Sequence, residues 1–153
     1  WYPIAAIDNS LDISFMFNDL QNNNEFLTEK MRSLFGIHND LLLFNTRKEM
    51  STYISLHFSK SAKYKYGTTQ SELLTEIIGR KEIEKYYFHS PGKFVGWKSI
   101  EQQMMVKNNS FIWKGKLQLL LKNGKVESEI NGSDIITFDK YGLCDSIETR
   151  VVM

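Results

Sequence analysis

Cysteine is almost missing from this chain. With Cys144 alone, neither a disulfide framework nor a site of several thiolates can be assembled within one copy. That usage suits a reducing compartment, and the expected location is cytoplasmic. Proline is scarce too, at two residues, and the composition of 42% hydrophobic and 24% charged residues is that of a folded globular domain rather than a disordered segment. No apolar run reaches the roughly 18 residues of a membrane span. A chain that begins at Trp1 reads as trimmed, so a removed leader stays open.

Charge of one sign is lacking as well. Nineteen Lys and Arg stand against 18 Asp and Glu, which argues against a nucleic-acid footprint. The local basic cluster at Lys60, Lys63 and Lys65, continued by Arg80 and Lys81, reads as a solvated face. His38, His57 and His89 show no ligand spacing, so no metal is expected. There is no Gly-rich phosphate loop and no serine-hydrolase signature, and no cofactor is expected. No membrane or nucleic-acid partner is expected either.

What is present is a change of periodicity along the chain. Residues 1–23 read as an N-terminal arm and residues 24–153 as a single domain. From Glu25, the apolar positions Phe26, Met31, Leu34, Phe35, Leu41 and Leu42 recur near helical spacing, with a break near Gly36. "TRKE" at 46–49 is a capping box that starts a second helix, with Met50, Tyr53, Ile54, His57 and Phe58 on its inner stripe. "SAKYKYG" alternates as a half-buried strand, Ala62, Tyr64 and Tyr66 facing one way. "SELLTEIIGRKEIEKYYF" returns to helical spacing as two short pieces separated by Gly79. "HSPGKFVGW" is a loop, and long strands follow.

Asn123-Gly124 favours a two-residue hairpin turn. That turn sets Lys122 opposite Lys125 and Leu121 opposite Val126, then Leu119 with Ser128, Leu117 with Ile130, Gly115 with Gly132, Trp113 with Asp134 and Phe111 with Ile136. One face is thereby apolar or small. The other collects Lys114, Lys116, Gln118, Leu120, Glu127, Glu129, Asn131 and Ser133. A turn at "DKYG" leads to a last strand with Leu143, Ile147 and Val151 inward, and Cys144 outward. Helices first and a largely antiparallel meander afterwards give an α+β domain, helices on one face of a curved sheet.

The segments "YISLHFSKSAKYKYG" (53–67), "GRKEIEKYY" (79–87) and above all "SDIITFDKYGLCDSIETRV" (133–151) resemble the nuclear transport factor 2-like superfamily, which includes SnoaL-like polyketide cyclases and ketosteroid isomerases. The resemblance spans residues 25–151. It implies a cone-shaped, cystatin-like roll with the N-terminal helices on the concave face, and a homodimer through the outer face of the sheet. It also matches Asp134 to the aspartate that ketosteroid isomerases keep protonated. Two parts of that family's pattern are missing: Tyr66 stands where the proton-shuttling aspartate would be, and a leucine near Leu42 where the oxyanion tyrosine would be. A cyclase-like relative using one acid/base aspartate fits better than a steroid isomerase.

The register aims Asp134 into apolar company, where desolvation raises a carboxyl pKa. It is then either an acid/base group facing a ligand or a hydrogen-bonded structural group held by Tyr64, Tyr66 or the Trp113 indole. Tyr64 and Tyr66 are candidate oxyanion donors. Phe111, Trp113, Leu117, Ile136, Ile147 and His57 are expected to contact a small apolar molecule. Two functions follow: a cofactor-free lyase or isomerase acting on a carbonyl compound, or a non-catalytic ligand-binding or dimerisation module of the same fold.

Overall fold

The computed structural model describes residues 41–107 and 110–152. The expected N-terminal arm, and the helix expected from Glu25 as far as residue 40, lie outside them. The described elements are β1 (Leu41–Leu43), α1 (Arg47–Ser55), β2 (Phe58–Thr68), β3 (Thr75–Ile78), α2 (Arg80–Phe88), β4 (Gly96–Lys107), β5 (Ser110–Leu120), β6 (Val126–Phe138) and β7 (Cys144–Val151). The strands form one seven-stranded sheet in the order β1-β4-β5-β6-β7-β2-β3. Every pairing is antiparallel except β2 with β7.

Helix α1 begins as its capping box dictates. Thr46 is extended, and its hydroxyl accepts from the Glu49 N–H at 3.1 Å. The return bond goes one residue further back than in the standard box, because the Glu49 carboxylate accepts from the Asn45 N–H at 3.3 Å. Met50 and Ile54 from α1 and Ile83 from α2 meet Phe111, Trp113, Ile136 and Ile147 from the sheet in one buried cluster. Each such side chain contributes about 1.5–3 kcal/mol by leaving water. The α+β architecture, with helices on one face of a curved sheet, is as the sequence implies.

Four local expectations are corrected. Leu41 and Leu42 are not helical: they form edge strand β1, paired with Lys98 and Trp97. His57 and Phe58 leave the helical stripe, since α1 ends at Ser55 and Phe58 opens β2. "TEII" is a strand, β3, paired antiparallel with β2; two adjacent β-branched residues suit an extended edge better than a helix. Cys144 points inward and is fully buried. The register between β6 and β7 shifts between Thr137 and Phe138, and one extra residue in a ladder turns the following side chains to the other face.

The central hairpin carries a compensated error. The loop is Lys122–Gly124 and not Asn123-Gly124: the Gly124 N–H bonds Leu121 O, the Leu121 N–H bonds Lys125 O, both at 2.8 Å, and Gly124 sits at φ +84. Lys122 therefore does not face Lys125, and Leu121 does not pair with Val126. A register shift between Leu119 and Leu120 absorbs the difference and buries Leu120. From Leu119–Ser128 onward every expected pair is observed, including Trp113–Asp134 and Phe111–Ile136.

The inner face is bent by glycine. A Cβ on Gly115 would lie 2.0 Å from the Glu101 carbonyl oxygen, beside the bulge between Ser99 and Glu101, and one on Gly132 would lie 2.5 Å from Arg150 O. Gly115 and Gly132 pair across β5 and β6, so two close backbone approaches fall on one line across the sheet.

Candidate functional site

Between α2, the segment after it and the inner face of the sheet lies a pocket of about 290 Å³. Its polar end is built from three strands. Asp134 on β6 has Thr149 as its β7 neighbour, and Tyr64 on β2 lies beside Ile147 of β7. The Thr149 hydroxyl donates to Asp134 Oδ1 at 2.5 Å and reaches the Tyr64 hydroxyl at 3.4 Å. Asp134 is 8% exposed. Burial raises its pKa to about 6, and the Thr149 bond, which favours the ionised form, works against that rise.

Helix α2 supplies two further phenols. The Tyr64 ring lies 5.2 Å from Tyr86 and 5.8 Å from Tyr87, centre to centre. Burial pushes the pKa of all three tyrosines above the ordinary value, with neighbouring phenols adding to it. They remain protonated donors at neutral pH. Among the described residues, the rest of the wall is Ser90, Pro91, Phe94, Trp97, Leu117, Leu119, Ile130, Ile147 and Val151. No Lys, Arg or His is among the described lining residues.

Of the residues expected at the site, Asp134, Tyr64, Leu117 and Ile147 line this pocket together. Phe111, Trp113 and Ile136 are buried in the core and do not line it. The Trp113 indole N–H donates to Gln102 Oε1 at 3.2 Å and not to Asp134. Tyr66 is half-buried, packed on Tyr64 and Tyr86 outside the lining. His57 is removed from the pocket, its Nδ1 2.9 Å from the Tyr53 carbonyl and its ring against Tyr53. Cys144 is buried, which pushes its thiol pKa well up, so the thiolate is disfavoured.

Sequence reasoning missed Thr149, Tyr86, Tyr87, Phe94 and Trp97. The last strand's alternation could have found Thr149, which lies between Ile147 and Val151 on the inward face. The tyrosines of "KYYF" were a legible aromatic pair on a helix, but nothing local told which face met the sheet. No group of His, Cys, Asp and Glu among the described residues could hold a metal ion, and no described helix is long and apolar enough to cross a membrane.

No protein-family model matches the sequence, and no curated protein matches it. Solved structures do match in shape. A phenazine biosynthesis-related protein from Pseudomonas aeruginosa is 12% identical, with 86% of this chain and 84% of that chain covered and a TM-score of 0.60. A nuclear transport factor 2-like protein of unknown function from Burkholderia xenovorans is 15% identical, with 85% of each chain covered and a TM-score of 0.57. A proposed isomerase of the SnoaL-like family from Agrobacterium tumefaciens is 10% identical, with 85% of this chain and 97% of that chain covered and a TM-score of 0.51. At such identities shape is the shared property, and with the sheet order and helix placement above it shows that this chain has the nuclear transport factor 2-like fold.

Proposed function

We propose that the pocket binds a small, uncharged, largely apolar carbonyl compound, and that Asp134 moves a proton on it in a cofactor-free isomerase or lyase reaction. The observation that carries this is a buried carboxyl group, with pKa about 6, in a pocket whose other described lining residues supply apolar side chains and hydroxyls. A carboxylate so tuned can take a proton from a carbon next to a carbonyl and return it elsewhere. Tyr64, held protonated, can donate to the oxygen on which negative charge develops. The fold itself hosts many functions and supports no particular one, although a SnoaL-like proposed isomerase shares it.

The same walls would also serve a non-catalytic binding module, and both readings disfavour an anionic ligand. A negative charge placed beside Asp134 with no described cation in the lining is repelled and loses its hydration. The neutral naphthyl ketone prodan is expected to bind with a blue-shifted emission, and anilinonaphthalene sulfonate about tenfold or more weakly. Titration of both dyes by fluorescence checks this; the reverse ranking would remove the proposal. Among compounds that bind, turnover of β-keto and enone substrates separates enzyme from module.

A second copy of the chain is the proposed partner, through the outer face of the sheet. There Met105, Ile112 and Ile135 form a cross-strand row with Met105 50% and Ile135 42% exposed. Sedimentation velocity is expected to show a dimer that Ile135→Glu weakens; a monomer at all concentrations would contradict it.

A further inference from the structure

Arg47 is the first residue of α1, where a cation opposes the helix dipole. Its side chain instead serves a different helix end. Nη1 donates to the carbonyls of Tyr87, Phe88 and Ser90 at 3.1, 3.4 and 2.9 Å, Nη2 to Gly92 at 3.0 Å, and Nε to Phe94 at 2.7 Å. The guanidinium also stacks over the Phe94 ring at 4.3 Å. Two of these acceptors are the last carbonyls of α2, which lack partners within the helix. The others are turn carbonyls of residues 89–94. The Glu127 carboxylate of β6, near enough to Arg47 to favour its charged form, accepts from the Lys93 N–H at 2.9 and 3.0 Å.

The segment gripped in this way carries Tyr87, Ser90, Pro91 and Phe94 into the pocket wall. It lies outside the strands, and between Phe88 and Gly96 its backbone bonds to the sheet are made at Val95, whose N–H donates to Leu120 O of β5 at 2.8 Å and whose carbonyl accepts from the Phe44 N–H at 2.9 Å. We infer that Arg47 is a positioning residue for the pocket, fixing residues 87–94 as its wall through a single planar guanidinium, with Glu127 as a second anchor at Lys93. This rests on the pocket being a binding site, as proposed above. Arg47 itself does not line the pocket. A lysine cannot replace it, because an ammonium group offers three donors at one point and no plane to spread over separated carbonyls or to stack on Phe94.

The test uses the full chain, prodan as the probe, and amide hydrogen exchange. Arg47→Lys is expected to keep the fold, to weaken prodan binding about tenfold, and to speed exchange at residues 89–94 while β5, β6 and β7 stay protected. Glu127→Gln should do the same to a smaller degree. Unchanged prodan affinity together with unchanged exchange at 89–94 in Arg47→Lys would overturn the inference. So would faster exchange spread evenly through the sheet, which marks a merely structural arginine. If the wild-type protein takes up no prodan, the binding reading fails, and local exchange at 89–94 still decides whether Arg47 holds the segment.

Discussion

Replacing Asp134 with Asn is expected to lower turnover by about 10²–10⁴-fold, the range supplied by a positioned acid or base, on any β-keto or enone compound that the wild-type protein converts. Prodan affinity should stay within about threefold, because the amide keeps the carboxyl group's shape and can still accept from Thr149. Loss of turnover without loss of binding separates chemistry from pocket integrity, and unchanged turnover would remove Asp134 from the mechanism. The pH dependence has a definite sign. With Asp134 as the base, the wild-type rate rises through pH about 6 and levels off above it.

The same shift affects folding. The Asp134 pKa is raised from 3.8 to about 6, so the folded protein holds this proton more tightly than the unfolded chain does. The resulting stability, about 3 kcal/mol at roughly 1.4 kcal/mol per pKa unit, is fully present below pH 4 and is lost as pH rises through about 6. Above that, the folded state carries a buried charge, and Asn does not. Urea unfolding at pH 8 should therefore find Asp134→Asn at least as stable as the wild type, an advantage that disappears by pH 4. This group is kept at a cost to stability under the conditions where it would act as a base, as expected of a functional rather than a structural carboxylate.

The second large effect is on the scaffold. Gly115→Ala is expected to destabilise the protein by about 3 kcal/mol or more, or to prevent folding, and to abolish prodan binding. The added Cβ would meet Glu101 O at 2.0 Å and Gln102 Cα at 2.9 Å; both are backbone atoms of the facing strand, so no side chain can swing aside. Gly124→Ala is the control. Gly124 also has a special role, at φ +84, yet nothing lies within 4 Å of its added Cβ. Only the left-handed backbone penalty of about 1–2 kcal/mol remains, far from the pocket. Equal costs for the two substitutions would show that the close approach of β4 to β5 does not set the sheet's bend.

How far this site was legible depends on the range of each cue. Asp134 was found from the sequence because the Asn123-Gly124 reversal is local and β5 alternates without interruption down to Trp113. The turn was one residue longer than expected, and only the compensating bulge at Leu119–Leu120 kept Asp134 on the inner face. The same kind of bulge defeated the reading of β7, where Cys144 turned inward. "TEII" was misread because a four-residue edge strand is decided by its partner β2, not by its own pattern. Arg47 stayed invisible for a simpler reason: it grips carbonyls about forty residues away, and no local pattern encodes such a contact.

The most direct measurement is the ionisation of Asp134 itself, followed by the ¹³C shift of its carboxyl carbon and assigned by its disappearance in Asp134→Asn. A midpoint near pH 6, moving higher in Thr149→Val as the stabilising hydroxyl is lost, is the predicted result. A midpoint near the ordinary 3.8, insensitive to Thr149, would contradict the claim that a buried carboxyl group is held ready to exchange a proton in this pocket.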